Sequence, residues 1–220
     1  MSNTPDYDNY TLEELFQAQS AIDQELYPDR VEKIKELIAK QLEDPSVKEK
    51  FQREEENRRY RTFGQRFGAA IIDGIILSIV SKLLIYAAHS FSGVGALIFN
   101  SLDIFLFVIY SVLFHGLFSQ TVGKMLMGVV LLDAKTEEYI GFGHAIMRDS
   151  VIIALTAIAY SIILIGSDDS GVVSERYLDW LVIVAIVNFV WFFIEIITML
   201  FNKKNRALHD FIGGTVVVRE

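Results

Sequence analysis

Residues 66–89 read RFGAAIIDGIILSIVSKLLIYAAH, an apolar run that opens with Arg66 and carries Asp73 inside it. A helix rises about 1.5 Å per residue and the hydrocarbon core of a bilayer is about 30 Å thick, so roughly 20 apolar residues cross it. Arg66 and Asp73 are seven positions apart, which places them on one helix face, two turns from each other. Because a charge at lipid depth is costly, the run predicts a membrane-spanning helix whose acid faces a partner or a water-filled cavity.

The composition places the whole chain among integral membrane proteins. Of its 220 residues, 52% are hydrophobic, and several segments reach membrane length. The absence of cysteine excludes disulfides, thiol nucleophiles and cysteine metal sites. The net charge of −8 is carried largely by the N-terminal third, and this acidic balance argues against a nucleic-acid partner. We expect no cleavable signal peptide in the polar N-terminus, so that the first span acts as its own insertion signal.

Residues 1–63 predict a cytoplasmic region of amphipathic helices. Thr11 with Glu14 is a capping-box pattern at the start of one helix. Pro28 suits the first turn of a second helix, and Asp44 followed by a proline suits the start of a third. The apolar stripes of the first two helices predict a helical hairpin whose faces close on each other or on a partner.

The remainder of the chain, residues 64–220, predicts a transmembrane domain. We place four spans at about residues 66–89, 96–118, 147–166 and 180–201. Lysine and arginine cluster on one side of these spans, whereas the opposite side carries only Arg176. By the positive-inside rule both termini are cytoplasmic. The predicted fold class is therefore an all-α membrane protein, a four-span helical bundle with a cytoplasmic N-terminal helical hairpin.

Two short segments outside the spans favour strands. Residues 129–132 read VVLL and residues 215–218 read TVVV, both rich in β-branched side chains. Both segments lie on the cytoplasmic side of the predicted spans. We expect them to pair as two short strands under the bundle, at its cytoplasmic face.

Ionisable side chains recur at one depth of the predicted bundle. Asp73 lies about two turns inside the first span, Glu195 at a similar depth of the fourth, and His115 slightly closer to the cytoplasmic edge of the second. Asn188 shares a face of the fourth span with Glu195 and extends this layer toward the bilayer centre. These four residues are the candidate ion or proton site. Two structural alternatives stay open: Asp73 pairs with Arg66 to position the first span, and His115 is an interfacial residue.

A second polar pair is predicted on the other side of the membrane. Lys82 and Asp103 both fall in the outer third of their spans, where each neutralises the other. Alternatively, Lys82 extends outward to the headgroups and does not meet Asp103.

Three separated blocks combine charged residues and glycines in a recognisable order: RFGAAIID at residues 66–73, TVGKMLMGVVLLD at 121–133 and ALHDFIGGTVVV at 207–218. In this order and spacing they resemble the RDD family of small bacterial and archaeal membrane proteins, named for an arginine and two aspartates. The resemblance implies, as signature polar residues and their companions, Arg66, Asp73, Asp210, Gly123, Lys124, Arg148 and His209. It also implies a membrane role, in the inner (cell) membrane of a prokaryote, with monovalent cation/proton exchange suggested for some members.

Two hypotheses of function follow. The first is exchange of a monovalent cation for protons through Asp73, because a buried carboxylate binds either species. Four spans make a small transporter, so this hypothesis calls for a homo-oligomer in the lipid bilayer. The second is a non-transporting membrane adaptor or scaffold that recruits a protein partner through residues 1–60. An enzyme is not expected, because no nucleophile lies at a readable spacing from a base; no cofactor and no metal-ligand cluster is predicted.

Overall fold

The structure is a computed structural model that describes residues 5–168 and 172–220. Contacts divide the chain into two compact units, one that ends at Arg58 and one that begins at Arg59. In chain order the elements are a 3₁₀ turn (Tyr7–Asn9), α1 (Leu12–Ala21), α2 (Pro28–Leu42), α3 (Pro45–Tyr60), α4 (Phe63–Ser90), α5 (Val94–Ile104), α6 (Leu106–Phe118), α7 (Val122–Leu126), β1 (Val129–Asp133), α8 (Phe142–Gly166), α9 (Glu175–Leu200), α10 (Leu208–Ile212) and β2 (Thr215–Arg219). The protein is thus mostly helical with one small sheet.

The first unit begins its helices where the sequence predicts. Thr11 caps α1: its hydroxyl accepts a hydrogen bond from the Glu14 amide, and the Glu14 carboxylate accepts one from the Thr11 amide at 2.8 Å. Pro28 is the first residue of α2, where its missing N–H leaves no hydrogen bond unmade. The predicted capping box and the proline start are therefore confirmed.

The apolar stripes of α1 and α2 pack against each other. Leu15 and Ile34 are fully buried at their centre, and Leu12 and Ile38 extend the same core. Burial of each such side chain contributes about 1.5–3 kcal/mol, which is what holds two short helices together. The stripes that suggested a docking surface are therefore occupied within the unit itself.

The second unit carries the membrane segments. Three helices of the described chain, α4, α8 and α9, are long and apolar enough to cross a membrane. The predicted second span is divided between α5 and α6, which meet at Phe105 with a bend of 58° because the backbone there leaves helical geometry. Three of the four predicted segments are thus single helices of membrane length, and the bent pair differs from the expected straight span.

The third segment is longer than the sequence suggests. The helix α8 begins at Phe142 rather than near residue 147 and has 25 residues. The predicted third span, at about residues 147–166, therefore begins five residues after the start of this helix. The side chains of Arg148 and Asp149 are buried in contact with protein partners, so the helix carries them inside the unit.

The two predicted strands pair as expected. β1 and β2 are antiparallel, with Val130 opposite Val218 and Leu132 opposite Val216. Alternate side chains face opposite sides of the ribbon, and both sides are covered by other buried residues. A ribbon of two strands is marginal in water, so these two buried faces supply its stability.

The central leucine of this ribbon tests that interpretation. Leu131 is fully buried, so Leu131→Ala should lower the stability of the second unit by about 2–5 kcal/mol through a cavity. Thermal unfolding of the purified protein in detergent measures this as a lower midpoint. Leu126→Ala, at a side chain that is 68% exposed, is the matched control. Equal midpoints for the two variants would show that the ribbon does not stabilise the unit.

Candidate functional site: a polar cavity between the helices

A cavity of about 500 Å³ lies among the helices of the second unit. Its walls come from α4, α6, α8 and α9, and α7 and α10 contribute to its polar end. The predicted polar residues that line it are Arg66, Asp73, His115, Lys124, Arg148, Asn188, Glu195 and His209. The structure thus brings together side chains that are up to 143 positions apart in the sequence.

Asp73 is held by neutral hydrogen-bond donors. Its Oδ1 accepts hydrogen bonds from the Tyr110 hydroxyl at 2.6 Å and from the Gly123 amide at 2.7 Å. Its Oδ2 accepts one from the Thr121 hydroxyl at 2.6 Å. Among the described residues no ion pair joins Asp73 to Arg66, although the two share a helix face. The carboxylate is therefore buried and hydrogen-bonded but has no basic partner in contact.

Gly123 is required by the close approach of α7 to α4. A Cβ at this position would lie 2.3 Å from the carbonyl oxygen of Ala69 and 2.8 Å from Asp73. Thr121, two residues earlier, caps α7 through its hydroxyl and uses the same hydroxyl to bond Asp73. The Thr-x-Gly spacing therefore brings one hydroxyl and one free amide to the same carboxylate.

Asp210 is held by two guanidinium groups. Its Oδ2 accepts a hydrogen bond from Arg66 Nη1 at 2.7 Å, and its Oδ1 accepts one from Arg148 Nε at 3.1 Å. Asp210 is fully buried and also accepts the backbone amide of Ala207 at the start of α10. Burial by itself raises the pKa of Asp210, but the guanidinium groups of Arg66 and Arg148 hold that pKa well below its usual range. This carboxylate therefore stays ionised and joins α4, α8 and α10.

His209 connects this ion pair to the fourth membrane segment. Its Nδ1 lies 2.5 Å from Oε1 of Glu195, and its Nε2 lies 3.2 Å from Arg66 Nη2. The arginine can only donate, so the geometry fits the tautomer in which Nδ1 carries the hydrogen and Nε2 accepts. Glu195 therefore receives its hydrogen bond from His209 at the cavity wall.

A second polar chain runs behind the cavity. Lys124 Nζ lies 2.7 Å from Nε2 of His115, and Nδ1 of His115 lies 3.1 Å from the Ser111 hydroxyl. The Ser111 hydroxyl in turn donates to Asp149. In the described part of the chain, no carboxylate lies within 4.0 Å of the Lys124 ammonium. The buried lysine therefore contacts a histidine rather than an acid.

Electrostatics disfavour the charged form of Lys124. Burial is the main cause that lowers the pKa of Lys124 well below its ordinary value, and the positive charges of Arg148 and Arg66 lower it further. The nearby carboxylates of Asp210 and Asp149 oppose this shift but do not cancel it. Lys124 is thus a site where a proton leaves more readily than from an exposed lysine.

The predicted outer pair is not formed. Lys82 is exposed, and within residues 5–168 and 172–220 no ion pair joins it to Asp103. Neither residue lines the cavity. In the same described ranges, no group of three or more histidine and acidic side chains is arranged to hold a metal ion.

Three residues of the site were missed by sequence reasoning. Tyr110 and Ser111 sit inside an apolar run, and Asp149 looked like part of a loop. A signal for Ser111 was present, because it lies four positions before His115 and hence on the same helix face. Nothing in the sequence indicates that Tyr110 reaches Asp73, since that contact joins two different helices.

The contact between α4 and α7 makes a specific prediction for Gly123. Gly123→Ala should force α7 away from Ala69 and break the amide bond to Asp73, so that little folded protein is recovered. The yield of monodisperse protein in detergent is the measurement. Gly143→Ala is the matched control, since a Cβ there meets no atom within 4 Å. Full recovery of Gly123→Ala would contradict the close packing of these helices.

The lowered pKa of Lys124 makes a prediction about pH. The unfolded chain binds this proton more tightly than the folded protein, so folding stability rises with pH between the lowered pKa and about 10.5. The isosteric Lys124→Met removes this dependence. As the pH is raised from about 7 toward 10, the unfolding midpoint of the wild type should therefore rise relative to that of Lys124→Met. Lys135→Met, at an exposed position, controls for the loss of a positive charge. A constant difference would contradict the shift.

The comparisons with known proteins agree with the geometry. The family model described as the RDD family matches residues 60–214. This range contains Arg66, Asp73 and Asp210, which the structure places in and beside one cavity. No curated protein and no solved structure gives a significant match to the chain. The match covers well over half of the sequence, and the chain is a member of the RDD family of membrane proteins.

Proposed function

We propose that this protein exchanges a monovalent cation for protons across a membrane, with Asp73 as the group that alternately binds the cation and the proton. The observation that carries the proposal is the environment of Asp73: a carboxylate on a membrane-spanning helix, at the wall of the cavity, bonded only to neutral donors. Asp210, in contrast, is neutralised by two arginines. Of Asp73 and Asp210, Asp73 is therefore the carboxylate that is available to bind a cation or a proton.

The charge around the cavity supports cation binding. The carboxylates in and behind its walls belong to Asp73, Asp149, Glu195 and Asp210, and the permanently or potentially basic side chains to Arg66, Lys124 and Arg148. With both histidines neutral, the carboxylates exceed the bases by one charge. An unbalanced buried charge is costly, so binding of one proton or one monovalent cation is favourable. If Lys124 releases its proton, one positive charge is lost and the carboxylates exceed the bases by two charges.

The polar groups at the cavity also suit a hard cation. Carboxylate, amide and hydroxyl oxygens are the ligands that hard cations prefer. Glu195 and Asn188 on α9 line the same cavity as Asp73, and Thr121 and Tyr110 add hydroxyl oxygens. In this proposal Glu195 is the second carboxylate that faces the bound cation, and His115 with Lys124 accepts and returns protons.

The proposal includes a topology. The α5–α6 pair crosses the membrane as one bent span, giving four spans with both termini in the cytoplasm of a prokaryote. The support for a crossing is that the pair together is long and apolar enough, and the support for the orientation is the distribution of lysine and arginine. Assembly of several copies belongs to the same proposal, because four spans alone are few for alternating access.

The adaptor hypothesis has weaker support. It was motivated by the apolar stripes of the N-terminal helices, and Leu15 and Ile34 of those stripes are fully buried within that unit. A partner would have to bind a different surface of residues 1–60.

The decisive variant is Asp73→Asn. Asparagine has nearly the same shape and can still accept from the Gly123 amide, but it can bind neither a proton nor a cation by charge. Proton-coupled flux of Na⁺, K⁺ or Li⁺ in proteoliposomes, under an imposed proton gradient, should fall to the level of empty vesicles.

Asp103→Asn is the matched control, because Asp103 is another carboxylate of a membrane segment and does not line the cavity. It should retain the flux of the wild type. Wild-type flux in Asp73→Asn, with folded protein verified by gel filtration, would rule out Asp73 as the exchange site.

A further inference from the structure

The cavity is much larger than an alkali ion needs. An alkali ion is bound by a few oxygen ligands at short range, whereas a volume of about 500 Å³ falls in the range of sites for small organic molecules. Most of its lining is apolar, and the polar side chains are gathered toward the end formed by α7 and α10. Such a site offers both an apolar body and a charged end to its ligand.

Five aromatic rings contribute to the apolar part of the lining. They come from three different helices, with Phe63 and Phe67 on α4, Phe107 on α6, and Trp191 and Phe192 on α9. The face of an aromatic ring attracts cations, most strongly for tryptophan, and the attraction grows when water is excluded. Rings and carboxylates in one cavity therefore suit a ligand that is both apolar and positively charged.

The cavity is continuous with the outer surface at the depth of the membrane segments. Phe67, Phe107 and Phe192 line it and are nevertheless 60%, 51% and 52% exposed. The helices that carry Phe67 and Phe192 pack mainly against other neighbours, α4 against α5 and α7, and α9 against α8 and α10. The gap between α4 and α9 is therefore an opening toward the acyl chains of the bilayer.

The sign of the ligand charge follows from the buried side chains. Arg66 and Arg148 are both paired with Asp210, whereas no basic side chain within residues 5–168 and 172–220 forms an ion pair with Asp73. The excess of carboxylates over bases repels an anionic amphiphile and attracts a cationic one. An acidic lipid headgroup is therefore the less suitable occupant.

From these observations we infer that the cation bound in this cavity is an amphiphilic organic cation, a quaternary or aromatic one, which enters from the bilayer between α4 and α9 and is held by Asp73 and the ring of Trp191. The inference rests on the proposed exchange function and specifies its substrate class. A proton is displaced from the carboxylates when the cation binds, and returns when the cation leaves.

The two tryptophans make a direct test possible. The chain contains only Trp180 and Trp191; Trp191 lines the cavity, and Trp180 is 55% exposed on the outer part of α9. In Trp180→Leu, the remaining fluorescence therefore reports on the cavity alone. Titration of this protein in nanodiscs of neutral lipid with tetraphenylphosphonium should change the Trp191 emission saturably. Asp73→Asn in the same background should abolish the saturable change.

A second experiment measures the protons that the ligand displaces and tests whether the ring of Trp191 contributes to binding. In weakly buffered solution, tetraphenylphosphonium should release protons from the wild type, and Trp191→Leu should raise the Kd measured by this release on the order of tenfold. Trp180→Leu should leave that Kd unchanged. Phe107→Leu is the second cavity variant, with a smaller increase expected, in case Trp191→Leu fails to fold.

The outcomes separate this inference from the proposed function. Proton-coupled Na⁺, K⁺ or Li⁺ flux that needs Asp73, without saturable tetraphenylphosphonium binding, would overturn the inference and leave the exchange function in place. Absence of both would overturn both. Tetraphenylphosphonium binding that neither Asp73→Asn nor Trp191→Leu changes would show that the ligand partitions into lipid, and it would overturn the inference. Saturable binding of phosphatidylglycerol in the cavity, displacing tetraphenylphosphonium, would overturn it in favour of an anionic lipid.

Discussion

The ion pairs of Asp210 with Arg66 and Arg148 are the interaction on which the arrangement of the second unit depends. One fully buried carboxylate receives guanidinium groups from α4 and α8 while it caps α10. Each of these three charges would be costly if buried alone, and loss of one partner of a buried pair typically costs about 3–5 kcal/mol. The C-terminal segment is thereby fixed against the membrane helices, and the adjacent ribbon of β1 and β2 is positioned under it.

The ion pairs of Asp210 also determine which charges remain available in the cavity. Because Asp210 engages both arginines, neither of them is left to neutralise Asp73. Asp73 is instead held by a hydroxyl from α6, a hydroxyl at the start of α7 and an amide of α7. Neutral donors orient a carboxylate without cancelling its charge, so Asp73 can still attract a cation. Asp73 and Asp210 thus have different environments: neutral donors surround Asp73, whereas two arginines neutralise Asp210.

The small number of spans is compatible with a sizeable internal cavity because the helices are unequally packed. α9 has a single buried residue, Met199, and lines the cavity with its polar face. The bend between α5 and α6 at Phe105 changes the direction of the second segment above the level of Tyr110 and His115. These helices therefore enclose a volume that a tightly packed four-helix core would fill with side chains.

The sequence by itself determined that α4, α8 and α9 are apolar helices of membrane length, where α1 and α2 begin and which two segments pair as strands. These features depend on local periodicity, on caps and on apolar length, all of which act over a few neighbouring residues. Counting along each helix also predicted one layer for Asp73, His115 and Glu195, and these three side chains line one cavity.

Only the tertiary structure decided which partner each charge has. A helix face is known from the sequence, but the neighbouring helix is not, so the sequence suggested Asp73, seven positions away, as the partner of Arg66 and not an acid 144 positions away. The structure selects Asp210, joins Tyr110 to Asp73 and buries Asp149, because these contacts form between elements that are brought together only when the chain folds. The lateral opening between α4 and α9 has the same origin, since it is a property of how helices pack and not of any one of them.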